Sequence, residues 1–385
     1  MNNAPTYDAL ALFSGGLDSI LAARLIQDMG LKVLCLHFTT PFFGKAFSIP
    51  HWEKTYGLAI TAVDIGEDFA AMLANRPDHG FGKILNPCVD CKILMMRKAA
   101  ELLKKYGATI LISGEVLGQR PMSQRRDTLN VIRRDANVKN VLVRPLSAQL
   151  LEPSEAETNG LIDRSRMLAI SGRGRKEQLA LAAGMGITEI PTPAGGCLLT
   201  EKENARSYWP VLRYAQPPTA GDFELANTGR QYWSVVGAEK NTPLWLCVGR
   251  NQADNTRLIR LARPGDVLFK AANFPGPVSL GRPLPGSVWN DSAIHDAAAF
   301  TASFSPKAVR HAAENHERIR VKAVPGKNAP CIMDMIEGRD DIPLLEVTPD
   351  RTTPHIWQEH AWAPAKEALR AESRDKLGHT SSRQD

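Results

Sequence analysis

Ser14-Gly15-Gly16-Leu17-Asp18-Ser19 decides the fold of the N-terminal half, because apolar runs of two different kinds flank it. Residues 9–13 are uniformly apolar, as in a buried strand, whereas residues 20–26 have the apolar spacing of a packed helix. The stretch therefore predicts a strand, a tight loop and a helix in succession.

The residue types of this loop predict a ligand. Adjacent Gly15 and Gly16 permit positive φ and let backbone N–H groups approach a ligand closely. These amides and the helix N-terminus form an anion cradle, to which Ser14 and Ser19 can add hydroxyl donors. Asp18 suits an anion site only when a divalent cation shares it, as Mg²⁺ does between carboxylate and phosphate oxygens. We predict a Mg-nucleotide; a plain turn is the alternative for so short a pattern.

The complete string Ser-Gly-Gly-x-Asp-Ser after an apolar strand resembles the PP-loop family of ATP pyrophosphatases. That resemblance implies that ATP is cleaved between its α- and β-phosphates and that a carbonyl oxygen is activated as its adenylate. It places Ser14, Gly15, Gly16 and Ser19 at the pyrophosphate portion of ATP, with Asp18 holding Mg²⁺. A Walker-type loop would need Gly-Lys-Ser or Gly-Lys-Thr, and neither occurs in this sequence.

Composition excludes several classes of protein. With 385 residues, 43% of them hydrophobic and 23% charged, the chain has room for two globular domains. No apolar run approaches membrane-spanning length, so we expect no membrane partner. Six cysteines without a signal-peptide pattern predict reduced thiols in the cytoplasm. The net charge of +6 is compatible with a nucleic-acid partner.

Apolar strand-like runs alternate with helix-like stretches in the first half, which predicts an α/β fold with a doubly wound parallel sheet. The predicted strands are 8–13, 32–38, 59–63, 108–112 and 141–143. Ligands bind such sheets at the carboxyl ends of strands. The residues expected at those ends are the loop 14–19, His37, Phe38, Thr39, Ser113, Gly114 and Glu115.

Proline usage divides the chain, since 8 of the 26 prolines lie in residues 1–190 and 18 in 191–385. We predict a catalytic domain over 1–205, a linker near 205–220 and a smaller α+β domain over 220–350. The charged, Ser-rich residues 365–385 are predicted to be a disordered tail.

Cys88 and Cys91 form a Cys-x-x-Cys pair just before a helix predicted at 92–106, where the helix N-terminus favours thiolates. Alone, the pair is typical of half a zinc site. Cys197, in a Pro- and Gly-rich segment, is the other conspicuous thiol. Three cysteines suit either an iron–sulfur cluster with one open iron or a persulfide relay that ends in a disulfide. Cys35 and Cys247 are expected to be buried structural thiols, and Cys331 is uninformative.

This cysteine pattern resembles PP-loop tRNA thiolation enzymes that hold a [4Fe-4S] cluster, and the resemblance implies Cys88, Cys91 and Cys197 as its ligands. The loop after the fourth strand is similar to the Gly-Glu-x-Leu-Gly-Gln…Ser-Gln motif of ThiI-type tRNA 4-thiouridine synthetases, with one extra residue before the Ser-Gln pair. The matching residues are Gly114, Glu115, Leu117, Gly118, Gln119, Ser123 and Gln124. That similarity implies that Gly114, Glu115 and Gln119 belong to the ATP site, and His37 and Phe38 are expected there because they lie at the end of a predicted strand.

Two further basic segments are candidate contacts for phosphate. In Ser171-Gly172-Arg173-Gly174-Arg175-Lys176 the glycines leave the cations well placed for phosphate oxygens of RNA or pyrophosphate. Residues 248–255 and 265–277 resemble the RNA-binding domain of the NFACT proteins. On this reading, folded RNA would contact a group of arginines comprising Arg250, Arg257, Arg260 and Arg263.

The sequence thus predicts an ATP-dependent tRNA sulfurtransferase that adenylates a uridine carbonyl oxygen and replaces it with sulfur. Its partners would be tRNA and a sulfur donor, either sulfide or a persulfide carrier, and a homodimer is left open. One alternative is a PP-loop ligase that acts on a small carboxylate and holds structural zinc. The other is a nucleotide-gated RNA-binding factor with structural thiols.

Overall fold

The computed structural model describes residues 6–192, 196–234, 243–287, 289–325, 344–352, 357–359 and 367. Two compact units divide the chain, Met1–Glu201 and Lys202–Asp385. None of the described helices is both long and apolar enough to cross a membrane.

Five parallel strands form the sheet of the first unit, in the order β3-β2-β1-β4-β5. The strands are β1 (Ala9–Leu12), β2 (Val33–Thr39), β3 (Ala59–Asp64), β4 (Ile110–Ser113) and β5 (Leu142–Val143). All five lie where the apolar runs predict them, and the doubly wound α/β class is confirmed. Because β1 is the central strand, the loop that follows it opens at the middle of the sheet's carboxyl edge.

Helices cover both faces of this sheet. They are α1 (Leu17–Gln27), α2 (Ile49–Tyr56), α3 (Gly66–Ala74), α4 (Cys88–Tyr106), α5 (Arg126–Asp135), α6 (Glu155–Thr158) and α7 (Lys176–Gly184). Short 3₁₀ turns lie at Ala46–Ser48, Ala148–Leu150, Arg164–Arg166 and Leu198–Thr200.

Successive β1 side chains point to opposite faces, so the two sides of the sheet have separate apolar cores. Ala9 and Ala11 pack with Ile20 of α1, whereas Leu10 packs with Met96 of α4. Burial on both faces explains why β1 is an uninterrupted apolar run in the sequence.

The sequence-based start of α4 is wrong by about one turn. The helix begins at Cys88, so Cys88 and Cys91 lie within its first turn instead of preceding it. Pro87 occupies the position before the helix, where the missing N–H of proline does no harm. The helix ends at Gly107, whose φ of 67° is left-handed.

The second unit is an antiparallel seven-stranded sheet with helices, in the order β11-β10-β8-β9-β7-β6-β12, as the α+β prediction requires. Its strands are β6 (Arg230–Ser234), β7 (Trp245–Val248), β8 (Val267–Ala271), β9 (Ser279–Arg282), β10 (Ile319–Pro325), β11 (Leu344–Val347) and β12 (Trp357–Gln358). Its helices are α8 (Lys202–Tyr214), α9 (Ala220–Ala226), α10 (Gln252–Leu261), α11 (Asp291–Ala302) and α12 (Pro306–Asn315).

The region 205–220, predicted to hold the linker, begins within helix α8, which ends at Tyr214, and residues 215–219 connect α8 to α9. Pro210 lies inside α8, next to the buried side chains of Trp209 and Val211. Cys331 and the predicted tail, apart from Glu367, lie outside the described residues.

Candidate active site

The loop from Ser14 to Ser19 adopts a tight, glycine-dependent turn. Gly15 has a φ of 78°, in the left-handed region. Ser19 Oγ donates to the Gly16 carbonyl at 2.7 Å and accepts from the Ser14 N–H at 3.3 Å. No side chain caps α1 at Gly16, so the first N–H groups of the helix remain available to an anion.

Trp52 of α2 packs directly against this loop, a contact that no sequence motif indicates. A β-carbon on Gly15 would lie 2.5 Å from Trp52 Cζ2. The indole also meets the Phe13 ring at 5.4 Å and the His37 ring at 4.9 Å, centroid to centroid. Gly15 is therefore required both for its backbone conformation and for the space that Trp52 fills.

Asp18 stands in the first turn of α1 with a buried oxygen that nothing satisfies. Oδ1 has no hydrogen-bond partner among the described residues. Burial raises the pKa of this carboxyl, and nearby Gln119, Arg175, Gln178 and Arg120 offset part of the effect. A partly desolvated carboxylate with one unbonded oxygen, beside an anion cradle, is a donor that a divalent cation would use, so the residues fit Mg²⁺.

The loop that follows β4 closes against the same helix. A β-carbon on Gly114 would lie 2.5 Å from the Asp18 carbonyl oxygen, so this close approach needs glycine. Farther along, Gly118 has a φ of 76° and donates its N–H to the Gln124 carbonyl at 2.7 Å. Gln119 is the residue whose side chain lowers the pKa of Asp18 most. The structure thus brings the two predicted ATP-binding segments together.

Glu115 connects the loop after β4 to helix α4, which carries Cys88 and Cys91. Its side chain is 1% exposed, and Oε2 accepts a hydrogen bond from Arg144 Nε at 2.9 Å. The other oxygen, Oε1, lies 4.0 Å from Lys92 Nζ and has no hydrogen-bond partner among the described residues. Lys92 follows Cys91 directly and lowers the pKa of that thiol. The buried Arg144, which no sequence motif indicated, therefore holds Glu115 between the predicted ATP-binding segments and the cysteines of α4.

His37 and Phe38 lie beneath the loop rather than within it, since both are buried. His37 Nδ1 is 3.0 Å from the Phe13 carbonyl oxygen, and Nε2 accepts the Lys45 N–H at 2.8 Å. The acceptor role of Nε2 places the proton on Nδ1. Burial lowers the pKa of this imidazole, which favours the neutral form that the two bonds need. Both ring nitrogens are thus engaged by backbone; the assignment of His37 and Phe38 to ATP binding stays a prediction.

The three candidate cysteines come from distant segments that meet. Leu85 N–H donates to the Leu199 carbonyl at 3.1 Å, and Leu198 N–H donates to Phe42 at 3.1 Å, so the chain around Cys197 is fixed beside the start of α4. Cys88 and Cys197 both raise the pKa of Cys91, which indicates electrostatic contact among the thiols. All three are free and partly exposed.

Cys88 also approaches the loop after β4. The Asn86 side-chain amide donates to Cys88 Sγ at 3.2 Å and to Met122 Sδ at 3.5 Å. Met122 belongs to the same loop as Gln119. The thiols and the nucleotide loop therefore border a common region at the carboxyl edge of the sheet.

The expectation of thiolates at the start of α4 was made for Cys88 and Cys91, and it is wrong for Cys91. Burial raises the pKa of Cys91 to about 12 and raises that of Cys197 as well. Desolvation of the charged form outweighs the helix dipole and Lys92. In the part of the chain that the structure describes, no three His, Cys, Asp or Glu side chains have a geometry that could hold a metal ion. Thiols are the donors that iron–sulfur clusters use, so the assignment of Cys88, Cys91 and Cys197 to a cluster stays a prediction.

Cys35 and Cys247 are fully buried within strands β2 and β7, as predicted for structural thiols. Some surface arginines of the first unit have acidic partners. Arg125 pairs with Asp127, Arg134 with Asp135, and Arg164 with Glu157.

The basic loop before α7 differs from these arginines. Arg173, Arg175 and Lys176 form no ion pair among the described residues, and Arg175 lowers the pKa of Asp18. Gly172 N–H donates to the Leu117 carbonyl at 2.7 Å, which fixes this loop to the one after β4. The unpaired cations are therefore placed for phosphate.

A central strand, a glycine turn, an uncapped helix start and a buried carboxylate in its first turn make this α/β domain resemble the PP-loop type. In agreement, residues 6–149 match the family model described as "Thiamine biosynthesis protein (ThiI)".

Curated relatives match the same region. The tRNA sulfurtransferase of Blochmanniella pennsylvanica is 30% identical over 154 residues, which is 37% of this chain and 29% of that protein. The tRNA sulfurtransferase of Shewanella denitrificans is 31% identical over 169 residues, 42% of this chain and 32% of that protein. The chain thus spans about a third of the length of these relatives.

Among solved structures, a predicted tRNA methyltransferase subunit from Methanocaldococcus jannaschii aligns with 36% of this chain and 69% of its own. The alignment has 16% identity and a TM-score of 0.27, which is too low to support any inference.

Proposed function

We propose that the protein is an ATP-dependent tRNA sulfurtransferase, which adenylates a uridine carbonyl oxygen and then replaces that oxygen with sulfur. One observation carries the proposal. The loop at Ser14–Ser19, with the unbonded Oδ1 of Asp18, borders the loop after β4, and three thiols from two distant segments border that same loop. The names of the partial relatives agree with this reaction.

The activation step follows from the loop geometry. N–H groups at the start of α1 and the hydroxyl of Ser14 would bind the phosphates of ATP, and Asp18 would hold Mg²⁺. The uridine oxygen attacks the α-phosphorus, and the bond to pyrophosphate breaks. Arg173 and Arg175 stabilise the negative charge on the leaving pyrophosphate. Mg²⁺ supplies charge neutralisation at the phosphates when bound.

The sulfur step requires a nucleophile at the activated carbon. A sulfide equivalent forms the new C–S bond while the C–O bond breaks and AMP leaves. Cys88, Cys91 and Cys197 would keep that sulfur at the site, and Glu115, through Lys92, links their helix to the nucleotide loop. A [4Fe-4S] cluster held by the three thiols would supply an iron that binds sulfide.

The second unit would bind tRNA through helix α10. Arg250 and Arg263 are occupied by Asp254 and Asp222, whereas Arg257 and Arg260 are exposed and make no ion pair among the described residues. They lie three positions apart, on one face of the helix, where phosphates can approach.

The reaction can be tested directly. Anaerobically purified protein is incubated with ATP, Mg²⁺, sulfide and unmodified tRNA, and nucleosides are analysed by mass spectrometry. We expect a thiouridine with wild type, at least about 100-fold less with Cys197→Ala, and near-normal amounts with the structural control Cys35→Ala. Iron and acid-labile sulfide should accompany activity. Stoichiometric zinc without any thionucleoside would instead favour a ligase acting on a carboxylate.

A further inference from the structure

Phe47 is an aromatic side chain that the fold leaves in solvent. It lies in the 3₁₀ turn Ala46–Ser48, between β2 and α2, and is 83% exposed. Every other Phe, Tyr and Trp in the described part of the chain is buried or half-buried. Isolated apolar side chains are common on protein surfaces, so the location of Phe47 decides whether it has a role.

Backbone contacts fix the turn that carries the exposed ring. The Lys45 N–H donates to His37 Nε2 at 2.8 Å, and the Ser48 N–H donates to the Lys45 carbonyl at 2.8 Å. Gly44 has a φ of 109°, and a β-carbon there would lie 2.8 Å from Thr39 Cα, so the chain folds back tightly against the end of β2. The ring is therefore carried by a fixed backbone at the carboxyl edge of the sheet.

The segments on either side of this turn contact two different parts of the candidate site. The segment that precedes it is bonded to the chain beside Cys197, since the Leu198 N–H donates to the Phe42 carbonyl at 3.1 Å. The helix that follows it contacts the nucleotide loop, since Trp52 Cζ2 would lie 2.5 Å from a β-carbon on Gly15. The exposed ring lies midway between these two contacts along the sequence. The turn therefore connects the predicted sulfur side of the site to the predicted phosphate side.

The proposed reaction requires a base at the same place. The carbonyl oxygen of the base must reach the α-phosphorus, and the carbon that bears it must then reach sulfur, so the base has to lie between the phosphate loop and the thiols. The adenine of ATP has no need to approach the thiols. A base withdrawn from RNA loses the stacking of its neighbours, which an aromatic side chain replaces. Lys45, exposed and two residues before the ring, can contact the adjoining phosphate.

We propose that Phe47 stacks on the RNA base that receives sulfur, with Lys45 at the phosphate beside it. This inference rests on the proposed function, because it presumes that an RNA base is brought to the loop at Ser14–Ser19. It adds a substrate-binding residue that belongs to none of the sequence motifs.

Photochemical crosslinking locates the base directly. tRNA is transcribed with 5-iodouridine in place of uridine, bound to the protein together with the Mg²⁺ complex of α,β-methylene ATP, which cannot be cleaved between its α- and β-phosphates, and irradiated. Peptides are then mapped by mass spectrometry. Iodouracil crosslinks to an aromatic ring stacked on it, so we expect a crosslink at Phe47 in wild type that is absent from Phe47→Ala. Absence of that crosslink from tRNA-bound wild-type protein overturns the proposal.

Affinity measurements separate RNA from nucleotide. For Phe47→Ala we expect a Kd for unmodified tRNA about tenfold weaker, with an unchanged Kd for the Mg-nucleotide, which also shows that the variant is folded. Phe47→Trp keeps an aromatic ring and should bind tRNA as wild type does. The control is Leu161→Ala, which removes another apolar side chain of the first unit, 52% exposed, and should change neither Kd.

The outcomes distinguish this proposal from the proposed function. An unchanged tRNA Kd in Phe47→Ala, or a loss confined to the Mg-nucleotide, overturns the stacking role and leaves the proposed function intact; the second result would assign the ring to adenine. A crosslink at Phe47 without any thionucleoside in the reaction assay would contradict the proposed function while supporting base stacking at Phe47. Failure of the wild-type protein to bind tRNA overturns both.

Discussion

Two groups of buried polar side chains, one in each unit, are arranged in opposite ways. In the first unit, Asp18 Oδ1 and Glu115 Oε1 are buried and have no hydrogen-bond partner among the described residues. In the second unit, Arg282 is 1% exposed and fully engaged, with Nη2 2.8 Å from Asp266, Nη1 3.0 Å from Asp222 and a further bond to the Leu261 carbonyl. Buried polar groups without partners are suited to binding a ligand, whereas fully paired ones stabilise the fold.

The largest effect is expected from breaking the paired network. Arg282→Met would leave Asp222 and Asp266 buried without their main partner and should lower the free energy of unfolding by about 3–5 kcal/mol. The control is Arg263→Met, which also removes a partner of Asp222, but one that is 43% exposed, and should cost about 1 kcal/mol or less. Urea denaturation measures both; equal losses would contradict a structural role specific to Arg282.

Substitution of Asp18 should instead reduce binding of the Mg-nucleotide. Asp18→Asn removes the charge that would bind Mg²⁺, so we expect the Kd for a Mg-nucleotide to rise about 100-fold. Burial raises the pKa of Asp18, so its carboxylate is disfavoured in the fold and stability should not fall. Asp222→Asn is the counterpart, with lower stability and unaltered nucleotide binding. A marked loss of stability in Asp18→Asn would show that Asp18 also stabilises the fold.

A smaller effect is expected at the glycine turn. Gly15→Ala meets both a φ of 78° and a contact of 2.5 Å with Trp52, whereas Gly80→Ala meets a φ of 74° with nothing within 4 Å. Gly80→Ala should cost about 1–2 kcal/mol and Gly15→Ala about 1–2 kcal/mol more. Equal decreases in melting temperature for the two variants would mean that the Trp52 side chain shifts at no cost to accommodate the added methyl group.

The smallest effect concerns pH. Because burial lowers the pKa of His37 below its ordinary value of 6.5, the unfolded chain binds a proton more readily than the folded one. The free energy of unfolding should therefore decrease as pH falls below 6.5, and less steeply in His37→Gln. Unfolding curves between pH 7.5 and about pH 5 measure the slope. Identical slopes for both proteins would assign the acid sensitivity to other groups.

Local sequence was sufficient for the strands and the loop. Strands β1 to β5 were identifiable because strands buried on both faces are short apolar runs. Helix boundaries were less accurate where proline was misleading: Pro87 precedes the true start of α4, and Pro210 lies inside α8. Pro87 lies where a helix start leaves N–H groups unbonded, and α8 accommodates Pro210 despite the lost backbone hydrogen bond; the sequence reveals neither.

Local sequence was likewise insufficient to identify every residue of the candidate site. Ser14–Ser19 and the pair Cys88 and Cys91 are contiguous motifs whose residue types imply their chemistry. Trp52 and Arg144 belong to no motif, and their importance depends on what each contacts.

The sequence by itself determined the sheet, the glycine turn and the chemical types of the candidate ligands, because these depend on neighbouring residues and on local periodicity. Only the tertiary structure decided that Cys197 meets the start of α4, that burial raises the pKa of Cys91, and that Asp18 Oδ1 has no hydrogen-bond partner among the described residues. Burial and hydrogen-bond satisfaction are properties of the folded surroundings, and distant segments supply those surroundings.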